Sequence, residues 1–475
     1  MNQQNSPIYN ALMEHAKKNP VSFHVPGHKY GSVQNIIGGA FFEEILKLDA
    51  TELSGLDDLH SPEGVIADGA LLLAKLYGVQ ESFFLVNGST VGNLTMILSV
   101  CGEGDKILVQ RNCHKSIINA LRLAKADPVF IEPIFNGDWK VAGGLDTEAA
   151  KRAIVRFPDL KAIVLTYPNY YGIADPIAEI IEVAHQNGIP VLVDEAHGAH
   201  FIAAEGFPVS AVALGADLVV HSAHKTLPAM TMGSFLHFNS GLVNLGRVKD
   251  YLQVLQSSSP SYPLLASLDL ARAYLGTFNR RDFAILFKKI QQFREELDQI
   301  PQIRVLTEEG KTDPLKVVIQ SACRLNGFEI QQLLEHEGIF TELADPSNVL
   351  FVLPLLKEGM PYPFLNTVKK IKELLYDYAP VQKETDESSR GGDLSQLALS
   401  YRMMDSLQIQ PVKLENAKGM IMAETIVPYP PGIPLLLKGE RISEPVLRRL
   451  TQLIQSGSRF QGGERLKDGE ILIYR

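Results

Sequence analysis

Seven short apolar, largely β-branched runs lie between Glu81 and Phe238, and they constrain this chain more than any other feature. They are "SFFLV", "KILVQ", "PVFIE", "KAIVLTYP", "IPVLVDEAH", "DLVVHSAHK" and "GSFLHF". Gly, Pro, Asn and Asp bound them, which is how buried strands are punctuated. Helix-forming stretches separate them. One begins near Thr90, another is "HKSIINALRLAKA", and "IAEIIEVAHQNG" ends in a glycine suited to a C-cap. Alternation of this kind predicts an α/β fold with a mostly parallel sheet. Such sheets bind ligands beyond the C-terminal ends of their strands. The chemically interesting residues fall there: Asn87 to Thr90, Asn112 to His114, Tyr167 to Asn169, Asp194 to His197, and Ser222 to Lys225.

The pattern changes after about Asp282. "AILFKKIQQFREELDQI" reads as an amphipathic helix carrying Ile285, Phe287, Ile290, Phe293 and Leu297 near helical spacing. "PLKVVIQ", "GIFTELADPSNVLFVLPL" and "FLNTVKKIKELLYDY" predict a smaller α/β domain. "QKETDESSRGGDLSQ" is polar and reads as a linker or exposed loop. The prolines of "AETIVPYPPGIPLLLKGERI" forbid a regular helix there. The expected divisions are an N-terminal segment (1–60), a large domain (61–281), a small α/β domain (282–382) and a C-terminal module (383–475). A chain of 475 residues can bury a large core across such domains.

A net charge of −9 argues against a sequence-independent nucleic-acid binder, which needs a basic surface. Cys101, Cys113 and Cys323 give neither a disulfide framework nor zinc spacing, so a reducing cytoplasm fits best. The first twenty residues hold no apolar signal core, and no apolar run is long enough to span a bilayer.

Lys225 and Asp194 frame the chemistry. Each ends a buried run, and 31 residues separate them, enough for one crossover and one further strand. A lysine amine can form a Schiff base with pyridoxal 5′-phosphate (PLP), and a carboxylate can keep the pyridine nitrogen protonated. The alternative is a strand-end aspartate and a turn lysine that merely cap and solvate. "FLVNGSTVGN" ends a strand at a glycine and opens a helix with Ser89 and Thr90, which suits a phosphate or an ordinary N-cap. It matches neither nucleotide-loop pattern. "DEAH" invites a helicase reading with Asp194 and Glu195 on magnesium, but no upstream P-loop accompanies it. His197 with His200, and His221 with His224, each three apart beside Asp194, leave a metal site as another reading. His114, also at a strand end, can stack on an aromatic cofactor or sit as a surface histidine.

Eight segments in one order resemble the PLP-dependent Orn/Lys/Arg decarboxylase family, of the aspartate-aminotransferase-like fold (fold type I). They are "FHVPGHKYG", "TELSGLDDLHSPEG", "FFLVNGSTVGN", "GDKILVQRNCHKS", "VLVDEAHGAHF", "SAHKTLPAMTMGS", "SSSPSYPLLASLD" and "PYPPGIPLL". The resemblance implies that Lys225 carries PLP, that Asp194 pairs with the pyridine nitrogen, and that His114 stacks on the ring. Ser89, Thr90, Ser222 and His224 are the implied phosphate-side contacts. His197 flanks the ring where some members carry tryptophan. The loop from Ser259 to Tyr262 is the one implied to reach a neighbouring subunit's site, so a homodimer is implied, with no nucleic-acid or membrane partner. "FHVPGHKYG" begins at Phe23, so the chain resembles the shorter members without the N-terminal wing domain. The expected activity is decarboxylation of a basic L-amino acid, arginine or lysine before ornithine, to a polyamine precursor. Transamination, aldol cleavage or a non-catalytic PLP-binding regulator are the alternatives. Glu52, Asp57, Asp58 and Glu424 are candidates to receive the substrate's distal cation.

Overall fold

All seven apolar runs form strands in the computed structural model, which describes residues 2–33, 37–308, 310–381, 386–389, 391–428 and 432–475. Contacts divide the chain into two compact units, Met1–Ser99 with Leu192–Arg280, and Val100–Val191 with Arg281–Arg475.

In the first unit the strands lie in the order Glu81–Leu85, Ser234–Phe238, Leu218–His221, Val191–Asp194. The last two are parallel, with Asp194 opposite Val220. Both strands therefore end on the same side of the sheet, and just beyond them the Ser222 N–H donates to the Ala196 carbonyl at 3.3 Å. Ser234–Phe238 departs from a parallel arrangement and runs antiparallel to both of its neighbours. The connection from His221 to Ser234 holds only the short helix Ala223–Thr226, and the chain turns back on itself there. The helix Gly88–Val100 begins just after the strand Glu81–Leu85, at Gly88 with φ of 81°. That left-handed value favours glycine.

A fully buried ion pair ties the N-terminus to this unit. Arg272 Nη2 lies 2.7 Å from Asp269 Oδ1, while Asp269 Oδ2 accepts from the Ile8 N–H at 2.9 Å. Arg272 also donates to the Gln3 and Asn5 carbonyls. The helices Pro7–Lys17, Val65–Tyr77 and Tyr262–Gly276 pack together around this anchor.

In the second unit the order is Ala162–Thr166, Lys106–Gln110, Asp127–Ile131, Leu394–Gln396. The first three strands are parallel. The fourth corrects the sequence reading: Leu394–Gln396, inside the expected linker, is an antiparallel edge strand on Val129–Ile131. Edge strands can be short and polar because one side faces solvent. Residues 382–385 and 390 of that linker lie outside the described residues.

The helix Arg280–Asp298 forms as expected, but its apolar stripe is shifted. Leu286, Ile290, Phe293 and Leu297 are buried, whereas Phe287 is exposed. A four-stranded antiparallel sheet of Ile303–Leu306, Lys316–Ser321, Asn348–Val352 and Leu343–Ala344 follows. The C-terminal module closes on its own core of Met422, Ile426, Leu436, Ile442, Leu450, Ile471 and Ile473. Its strands Ile409–Lys413 and Glu470–Tyr474 pair antiparallel. Of "VPYPPGIP", residues 429–431 lie outside the described residues, and the described remainder is not helical. No helix among the described residues is long and apolar enough to cross a membrane.

Candidate active site

Asp194 ends its strand buried. Its Oδ2 accepts from Asn93 Nδ2 at 2.9 Å, and its Oδ1 from the Ala196 N–H at 3.2 Å. Asn93 was not singled out in the sequence. The available signal was position: it lies four residues after Ser89, on the same helix face.

Lys225 sits in the short helix Ala223–Thr226, which follows the neighbouring strand directly. It is half-buried, and its Nζ is 3.0 Å from His197 Nε2. With Lys225 in its ammonium form, which only donates, His197 accepts on Nε2. His224 is also half-buried, and its Nδ1 lies 3.0 Å from the Gly233 carbonyl. Ser222 is fully buried, and its Oγ has no hydrogen-bond partner among the described residues. Thr226 Oγ1 is likewise buried and unpartnered. Buried hydroxyls are normally satisfied. These orphans, one a turn before the half-buried Lys225 and one directly after it, therefore fit an external acceptor such as a phosphate oxygen. Ser89 is half-buried and Thr90 exposed, both in the first turn of the helix that starts at Gly88.

His114 belongs to the second unit. It is the N-cap of the helix Lys115–Ala124, with Nδ1 accepting from the Ser116 N–H at 3.2 Å and 2.8 Å from Ser116 Oγ. Its other ring nitrogen then carries the proton in the neutral form.

The competing readings meet specific partners. Glu195 is fully buried and accepts from Ser210 Oγ (2.6 Å) and the Ala211 N–H (2.7 Å). His221 Nε2 is 2.5 Å from the same carboxylate, and His221 Nδ1 is 3.1 Å from His237 Nε2. The "DEAH" glutamate is thus an internal tie. The four histidines considered for a metal have separate surroundings. His221 faces Glu195, His197 faces Lys225, His224 faces Gly233, and His200 packs edge-on against Phe201 and Phe207.

Tyr262 ends the loop implied to reach a neighbouring subunit. The residue is fully buried in its own chain and donates its hydroxyl to the Asp57 carbonyl at 2.5 Å. A tyrosine is readily buried once its hydroxyl is paired. Burial, followed by the nearby charges of Glu52, Asp58 and Asp57, pushes its phenol well above the ordinary range. Ser257 to Ser259 are exposed, and the Ser257 N–H donates to Asn87 Oδ1 at 3.2 Å.

Among the acidic candidates, Asp57 is committed to the backbone. Its two oxygens accept from the N–H groups of Asp58, Glu63, Gly64, Ile66 and Ala67. Burial alone would raise its pKa, but together these bonds hold it below the ordinary value. Glu424 also spends both oxygens, on the Gly463 and Leu472 N–H groups. Asp58 accepts from the His60 N–H, and exposed Glu52 from the Thr51 hydroxyl.

Comparison with solved structures places the fold. The chain superposes on the Francisella novicida lysine decarboxylase LdcF with a TM-score of 0.82, at 21% identity, covering 100% of this chain and 81% of that one. The fold is α/β, of the aspartate-aminotransferase-like class, fold type I. Family models for Orn/Lys/Arg decarboxylase match the chain, the major domain over residues 6–310 and the C-terminal domain over 395–469. A Bacillus subtilis arginine decarboxylase is 35% identical over 98% of this chain and 96% of its own length. An uncharacterized Bacillus subtilis protein, YaaO, is 46% identical over 99% and 98%. The chain belongs to the Orn/Lys/Arg decarboxylase family and is an amino-acid decarboxylase.

Proposed function

We propose that the chain holds PLP on Lys225 and decarboxylates a basic L-amino acid, arginine or lysine before ornithine, to agmatine or cadaverine. The observation that carries this reading is the Lys225–His197 contact at 3.0 Å, one turn from the buried, unpartnered Ser222 hydroxyl and beside the strand that ends at Asp194. Ser222, Thr226, Ser89, Thr90 and His224 would hold the phosphate. Asp194, oriented by Asn93, would hold a proton at the pyridine nitrogen, and His114 would cover the ring face. When bound, the cofactor supplies an electron sink for the pair left at Cα when CO₂ departs. Lys225 must shed a proton to act as a nucleophile, and His197 can accept it from Nζ. Of the acidic candidates, Glu52 and Asp58 suit the substrate's distal cation best, because Asp57 and Glu424 spend both oxygens on backbone N–H groups.

A homodimer is part of this proposal, with the N-terminal segment 1–60 at its interface. Phe23, Ile37, Phe41 and Phe42 are all exposed there, Phe23 by 94%. A run of bare aromatic and aliphatic side chains calls for a cover. A cytoplasmic setting agrees with three buried cysteines whose spacing gives no disulfide framework.

The test is borohydride reduction of the purified yellow protein, peptide mapping, and CO₂ release from arginine, lysine and ornithine. A single labelled peptide containing Lys225 is expected, with CO₂ from arginine or lysine. A label on another lysine sinks the site. A 2-oxo acid in place of CO₂ points to the aminotransferase alternative.

A further inference from the structure

The "PYPPGIPLL" motif has no role in the reading above, yet its described part grips the turn that carries His114. That turn links the strand Lys106–Gln110 to the helix Lys115–Ala124. Before His114, Arg111 is buried and reaches into the C-terminal module. Its Nη1 donates to the Pro434 carbonyl at 2.8 Å, and its Nη2 to the Leu435 carbonyl at 3.2 Å and to Glu440 Oε2 at 3.0 Å. After His114, the Lys115 N–H donates to the Gly432 carbonyl at 3.3 Å, and Lys115 Nζ to Gln461 Oε1 at 2.6 Å. The residues flanking His114 are therefore both tied to the segment 432–440.

That segment is itself fixed. Leu436 is part of the module's core, and the Leu435 N–H and the Leu436 carbonyl both bond to Ile426. Glu440 is held in place by the Leu437 N–H at 3.0 Å. Burying an arginine is expensive, and apolar packing alone could join two surfaces. Arginine's planar fork instead fixes direction as well as distance. The N-cap bond from Ser116 then sets the imidazole plane relative to the clamped turn.

We propose that Arg111 and Glu440 are positioning residues for His114, and that the segment 432–440 clamps its turn so that the imidazole presents a rigid face to the cofactor ring. The inference rests on the reading of His114 as the ring-stacking residue. It gives the C-terminal module a part in cofactor binding through a residue that it does not itself contain.

The experiment is a double-mutant cycle on the full-length holoenzyme, comparing Glu440→Gln, His114→Ala and the double variant. The readouts are PLP affinity by equilibrium dialysis and the position of the bound cofactor's absorption band. Glu440→Gln keeps an oxygen for the Leu437 N–H but loses the charge facing Arg111. With His114 present it should weaken PLP binding by about five- to tenfold and shift the band, a coupling typical of residues that act through a shared partner. In the His114→Ala background it should change neither. The same cycle with Arg111→Lys, which keeps the charge but not the fork, decides the question should Glu440→Gln fail to fold by thermal melting. Equal losses with and without His114 would overturn the clamp and leave the His114 reading standing. Unchanged affinity and band in His114→Ala alone would overturn that reading, and the clamp with it.

Discussion

Asn93 Nδ2 donates to Asp194 Oδ2 at 2.9 Å, linking two buried side chains that stand 101 residues apart in sequence. One comes from the helix that opens with Ser89, the other from a strand end. The bond fixes the orientation of the carboxylate. Asp194→Asn keeps the shape and removes the charge. Loss of a buried charged contact costs about 3–5 kcal/mol, so turnover should fall ~100-fold or more. Asn93→Ala should cost less, about tenfold, since the Ala196 N–H still holds the other oxygen. Steady-state kinetics with saturating PLP checks both, and near-normal turnover in Asp194→Asn would refute the role given to that carboxylate.

Substrate choice should follow charge at the far end of the side chain. Norleucine has lysine's chain without the amine, so the proposed acceptors, exposed Glu52 and half-buried Asp58, would lose their cation. Its kcat/KM should be lower than lysine's by about tenfold or more. Asp58→Asn should raise KM for the basic substrate. Asp57→Ala should instead lower the melting temperature, because it removes a carboxylate that takes five backbone N–H groups. If Asp57→Ala melts like the parent protein, that structural assignment fails.

Acid should destabilise the first unit through His237. Burial, and then the neighbouring His221, hold the His237 imidazole well below the ordinary histidine range. Ser82 Oγ lies 2.8 Å from its Nδ1 and the Tyr77 ring 4.2 Å away between centroids. The folded state therefore keeps His237 neutral below pH ~6.5, where an unfolded histidine takes up a proton. The stability is present above that pH and is lost as pH falls towards the folded value, by up to about 1.4 kcal/mol per unit. Melting curves at pH 7.5 and 5.5 should show a smaller drop for His237→Gln than for the parent protein. An equal drop would mean that other groups carry the acid sensitivity.

Self-association should depend on the helix Gly39–Leu48. Phe41 and Phe42 stand exposed on it. A charge placed there would have to be desolvated in an interface, so Phe41→Glu with Phe42→Glu should shift the protein towards monomer in sedimentation and reduce turnover with it. A fully active monomer of the parent protein would remove the basis for a shared interface.

The sequence by itself determined the strands and the residues at their ends. A strand buried on both faces must be a nearly continuous apolar run, so its limits are written locally, and Asp194, Ser222 and Lys225 are conspicuous where such runs stop. The order of eight segments also carried the family. Tertiary structure alone decided how the buried polar groups pair. Asn93 with Asp194, Glu195 with His221, and Arg111 with Glu440 across 329 residues are ties between elements that local composition cannot match. It also turned Tyr262 inward to the Asp57 carbonyl and made Leu394–Gln396 an edge strand. The physical reason is the same in each case. A polar residue can be buried when its partner is supplied, and that partner comes from a distant part of the chain that only the fold brings near.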